Sequence, residues 1–161
     1  MIKPPSIMSP GWAVEKGKTT GGSPILRKIS CGISFWATEY AIYVDRKPHP
    51  KTRIAACRDP SSAVDYALLV DKGPCKQTRD AACKTPRTAF LYAKYIDKKM
   101  TRKTMRAAEK EASSAYRYYV DLNEGWFPER LKAEIEGYMK RGEENKCVEA
   151  QPGAFEVELD P

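Results

Sequence analysis

Apolar positions recur along this chain at helical spacing, and the spacing itself returns every 26 residues. Ala63, Tyr66, Ala67 and Val70 sit at i, i+3, i+4 and i+7, one face of a 3.6-residue helix. Ala37, Tyr40, Ala41 and Val44 precede them in the same frame. Ala89, Tyr92, Ala93 and Ile96 follow, then Ala115, Tyr118, Tyr119 and Leu122. Strand alternation is absent from these windows. Further columns share the period: Asp45, Asp71, Asp97 and Asn123; Cys31, Cys57, Cys83 and Glu109; Thr52, Thr78 and Thr104. The frame runs from about 23 to 129 without insertion, which predicts four tandem units. A degenerate fifth begins near Pro128.

Punctuation divides each unit in two. "DP" at 59–60 and "TP" at 85–86 set a capping residue before a proline suited to the first helical turn. "SP" at 23–24 and "HP" at 49–50 mark the starts of the preceding helices. A unit is thus a short helix A, as at about 50–58, and a longer helix B, as at about 60–72. "DKGP" at 71–74 offers a glycine for the left-handed residue that ends a helix. Helix A carries small residues, Ala55, Ala56 and Cys57, then Ala81, Ala82 and Cys83, which allow close stacking. Two short helices bury too little by themselves, so units must stack. The expected fold is all-α: a short α-solenoid of four two-helix repeats over 23–129, with an extended arm at 1–22. A capping helix at 130–142 and an acidic tail at 143–161 complete it.

Charge sharpens this picture. Residues 1–50 carry 7 basic and 3 acidic side chains, residues 51–110 carry 15 and 6, and residues 111–161 carry 6 and 12. The net charges are +4, +9 and −6, so the middle is basic and the end acidic. No apolar run reaches membrane-span length and no signal-peptide core opens the chain. The three in-register cysteines read as buried packing residues in a reducing, intracellular setting. Cys75 and Cys147 have no assigned role.

Chemistry is sparse. "GWAVEKGKTT" at 11–20 has five residues between its first glycine and the Gly-Lys pair where a phosphate-binding loop needs four. His49, the single histidine, lies in "RKPHPK" and reads as a helix cap or surface residue. No catalytic set, metal site, cofactor motif or small-molecule substrate site is expected. The Asp column reads as helix-end ligands for a neighbouring Arg or for the start of the next helix A.

Two surfaces remain. Tyr43, Leu69 and Tyr95 share one column of helix B and, with Val64, Leu68, Phe90 and Leu91, exceed what one inward stripe needs. With Trp126 and Phe127 of "GWFPER" they are the candidate partner-binding residues. The alternative is a basic stripe of Lys51, Arg53, Arg79 and Lys103 that tracks a nucleic-acid backbone. Two further cationic columns, Arg58, Lys84, Lys110 and Arg46, Lys72, Lys98, stand near helix ends, where they complement the helix dipole.

Units such as "TRDAACKTPRTAFLYAKYIDK" resemble the short tandem two-helix repeats of proteins of unknown function from bacteriophages, bacteria and large viruses. The shared pattern is an early Arg, an Ala-Ala-Cys patch, a helix-opening Pro, then Ala-x-x-Tyr-Ala and Asp-Lys, over about 23–129. The resemblance implies a non-catalytic scaffold that contacts other protein subunits of an assembly such as a virion. It carries no catalytic residues with it.

Overall fold

A computed structural model describes residues 8–123, 125 and 127–149, the last seven as helix backbone only. Trp126 and the end of the acidic tail lie outside the described residues. The chain divides into two compact units, Met1–Trp126 and Phe127–Pro161. Among the described residues every regular element is helical.

Among the described residues, the first unit contains nine α-helices. They are α1 (Pro10–Thr20), α2 (Pro24–Ser30), α3 (Ser34–Tyr40), α4 (Pro50–Ala56), α5 (Pro60–Tyr66), α6 (Lys76–Ala82), α7 (Pro86–Tyr92), α8 (Arg102–Ala108) and α9 (Ala112–Leu122). Helices α2, α4, α6 and α8 are the A helices; α3, α5, α7 and α9 are the B helices. Successive B helices touch one another, and α3, α5 and α7 each touch the A helix that follows. The solenoid is therefore built as two layers, with its core between them.

Capping follows the chemistry of the boundary residues. Asp59 Oδ2 accepts from the Ser62 N–H at 2.7 Å, and Ser23 Oγ from the Leu26 N–H at 3.2 Å. The next residue in each case is a proline in the first turn. His49 caps α4, its Nδ1 accepting from the Lys51 N–H at 3.2 Å. Burial lowers its pKa, with the Arg27 charge acting in the same direction.

Three core clusters each join two successive repeats. Ala41, Ala56, Tyr66 and Val70 form one, Val64, Ala67, Ala82, Tyr92 and Ile96 the next, and Phe90, Ala93, Ala108 and Tyr118 a third. The Ala columns bring backbones close and the Tyr column fills the space between. The cysteines differ from expectation. Cys31, Cys57 and Cys83 are half-buried, because each occupies the C-cap of an A helix rather than its inner face. Cys75 is the N-cap residue of α6 and is also half-buried.

The arm predicted as extended over 1–22 contains a helix among its described residues. Residues Pro10–Thr20 form α1, capped by Ser9, and bury Ala13, Val14 and Gly17. Ala13 and Val14 join Leu26 and Tyr40 in a fourth core cluster. Helix α1 holds the place of a helix B in front of the first repeat. A Cβ at Gly17 would meet the Val44 and Tyr40 side chains at 2.9 and 3.1 Å, so the close approach depends on this glycine.

Each of the first three B helices ends in a π turn: Ala41–Asp45, Ala67–Asp71 and Ala93–Asp97. The left-handed residue that follows is Arg46, Lys72 or Lys98, with φ of 52°, 54° and 52°. Gly73, expected to serve this role, stands one residue further on, because the extra residue of the π turn shifts the helix end. Helix α9 has no such turn.

In the second unit, α10 spans Glu129–Glu149. It begins where the capping helix was expected and continues seven residues beyond 142, into the predicted acidic tail.

Candidate functional site

The Arg and Asp columns meet inside each unit. Arg53 of α4 grips Asp71 at the end of the following π turn, with Nη2 to Oδ1 at 2.5 Å and Nε to both oxygens at 3.2 Å. Arg79 and Asp97 repeat this at 2.5 Å for Nη2 and 3.0 Å for the closer Nε contact. Arg27 and Asp45 do so at 2.6 and 2.9 Å. Each guanidinium also lies 5.7–5.8 Å from the ring of the unit's tyrosine. The hydrogen bond to the carboxylate raises the pKa of all three arginines. Asp97 is fully covered at its side chain and Arg79 is 27 % exposed.

A second network ties helix B to the cap of helix A. The Tyr66 hydroxyl accepts from the His49 N–H at 3.0 Å and lies 3.3 Å from the His49 carbonyl and 3.0 Å from Thr52 Oγ1. Tyr92 makes the same set with Cys75 and Thr78, and Tyr118 with Thr101 and Thr104. Tyr40 holds Ser23 by backbone alone, since Leu26 stands in the Thr column. Burial raises the pKa of Tyr66, Tyr92 and Tyr118. Among the described residues, no buried side-chain nitrogen or oxygen lacks a hydrogen-bond partner.

These networks absorb most of the proposed basic stripe. Arg53 and Arg79 are occupied by Asp71 and Asp97, and Lys103 pairs with Asp80. Lys51 is exposed. The four therefore do not form a row of free cations. Arg58 and Lys84 donate to the carbonyls of Cys31 and Cys57, at 3.0 and 3.4 Å, so they cap the A helix of the unit before their own.

Of the apolar surplus of helix B, one column stays exposed in all of the first three units, while outside it Ile25, Phe35 and Ile54 are also exposed. Val64 and Phe90 are buried between units. Tyr43, Leu69 and Tyr95 are 48 %, 51 % and 48 % exposed, and Leu68 beside them is 43 % exposed. They occupy equivalent positions on three π turns that pack side by side. Lys18 lies 4.5 Å over the Tyr43 ring, and Lys94 lies 5.4 Å from the Tyr95 ring. Between the second and third units a recess of about 170 Å³ is lined by Leu68, Lys72, Gly73, Tyr95, Ile96 and Lys98. Phe127 belongs to the compact unit Phe127–Pro161 and is half-buried.

Residues 11–20, which carry the Gly-Lys pair, are continuous helix and form no phosphate-cradling loop. Among the described residues, no group of three or more His, Cys, Asp or Glu side chains is placed to hold a metal ion. No described helix is long and apolar enough to cross a membrane.

The ladder itself was legible in the column of Tyr43, Leu69 and Tyr95. The recess was not, because it needs the π turns, which have no sequence signature. Helix α1 did leave a signal: "SP" at 9–10 repeats the cap-and-proline pair that opens other helices. Compared with protein-family models, curated proteins and solved structures, the chain matches none.

Proposed function

We propose that this protein is a non-catalytic helical scaffold that binds other protein subunits through the ladder of Tyr43, Leu69 and Tyr95. The observation that carries the reading is the exposure of this column at three successive repeats. The fold gives these side chains no interior to fill, whereas the Ala, Tyr, Thr, Arg and Asp columns each have an intramolecular partner. Apolar side chains aligned at a fixed period suit a partner that lies along the stack. The proposed setting is a large assembly in a reducing compartment, or a virion, in keeping with the repeat pattern described above.

Binding to nucleic acid through Lys51, Arg53, Arg79 and Lys103 is the weaker reading, because three of the four are in ion pairs. Sedimentation of native material at low and high salt, with absorbance at 260 nm read on each fraction, separates the two. Retention in a particle at high salt supports packed apolar contacts. Release from nucleic acid as salt rises contradicts the scaffold reading.

A further inference from the structure

Lys72 and Lys98 stand at left-handed backbone positions, where glycine is the residue without steric cost. A non-glycine residue there costs about 1–2 kcal/mol, and a cation at a helix C-terminus returns about 0.3–1 kcal/mol. Among the described residues neither lysine has an ion-pair partner. Both line the recess whose apolar walls are Leu68, Tyr95 and Ile96. The recess thus combines an apolar floor with two unpaired cations at its rim. It suits a segment that carries apolar and acidic side chains together, the apolar ones for the floor and the carboxylates for the cations at the rim.

Such a segment exists in this chain, outside the described residues. Residues 155–160 read "FEVELD", with Phe155, Val157 and Leu159 alternating with Glu156, Glu158 and Asp160. We propose that the recess between the second and third repeats docks this acidic C-terminal segment from a second copy of the chain. Apolar residues enter between Leu68 and Tyr95, and the carboxylates reach Lys72 and Lys98. The inference rests on the ladder being the contact surface, and it names the occupant.

Charge reversal in the full-length chain tests it, read by analytical ultracentrifugation across concentration at low and moderate salt. Lys72→Glu with Lys98→Glu, and separately Glu156→Lys with Glu158→Lys and Asp160→Lys, should each weaken self-association roughly tenfold or more. Combining the two sets should restore it to within a few-fold of the parent. A parent chain that stays monomeric, or two reversals that leave association unchanged, overturns the proposal. So does a single-stranded oligonucleotide whose binding is lost with Lys72→Glu and Lys98→Glu while self-association persists. If Tyr43→Ser, Leu69→Ser and Tyr95→Ser abolish assembly but reversal of the tail does not, the ladder stands and this occupant is wrong.

Discussion

The first three repeats and the fourth differ in several columns, and two of those columns meet at the end of helix B. Where Arg27, Arg53 and Arg79 face Asp45, Asp71 and Asp97, helix B widens into a π turn and closes on a left-handed residue. Where Met105 and Asn123 stand instead, α9 stays α-helical to Leu122. The Tyr–Thr network is common to the second, third and fourth units, so it does not require the π turn. The comparison assigns the two networks separate jobs. Tyrosine fixes helix B to the cap of helix A, while the Arg–Asp pair draws the end of helix B toward helix A.

The strongest way to break this comparison is to give the third unit half of the fourth unit's pair. Arg79→Met leaves the covered Asp97 carboxylate without its partner and should cost about 3 kcal/mol, measured by chemical denaturation. Adding Asp97→Asn should recover most of that loss and convert Ala93–Asp97 to α-helix, visible in amide exchange or a crystal structure. Persistence of the π turn in the double variant would separate it from the ion pair.

Next in size, Tyr92→Phe and Tyr118→Phe each remove a buried hydroxyl that serves an N-cap and a threonine. Each should cost about 1–3 kcal/mol, with no difference between the units. A much smaller loss in the fourth unit would tie the tyrosine network to the π turn after all. Lys98→Gly acts in the opposite sense. It relieves a left-handed residue and should stabilise by about 1 kcal/mol, while weakening self-association.

Alkaline pH separates the units by their cysteine column. Burial pushes the Cys57 thiol up from 9.0 to about 11. The folded chain then keeps a proton that the unfolded chain gives up. The resulting stability is complete below the ordinary thiol pKa and is lost as pH rises from 9.0 to about 11. Cys57→Ser should flatten that part of the curve. The fourth unit, with Glu109 in this column, has no thiol to add, although burial also raises the pKa of its Tyr118.

Much of this architecture was legible in the sequence because it is written in repeated, local signals. Cap residues before Pro24, Pro50, Pro60 and Pro86 mark helix starts, and the Ala and Tyr columns mark one buried face. Asp71 and Asp97 read correctly as helix-end ligands for arginine, and His49 as a cap. What was missed depends on geometry at helix ends. Nothing in Ala67–Asp71 distinguishes a π turn from an α turn before the Arg53 contact is known. Lys72 in the left-handed region runs against residue preference, which pointed to Gly73. Arg53 and Arg79 looked like surface cations because charge columns do not reveal which members face a carboxylate 18 residues away.

The most direct test of the central claim, that the ladder is the working surface and the networks beneath it are structural, is sedimentation of the Tyr43→Ser, Leu69→Ser, Tyr95→Ser variant in its native assembly. The account predicts a stability change within about 0.5 kcal/mol per site and loss of the variant from the assembled fraction. A folded variant that remains fully assembled would contradict it.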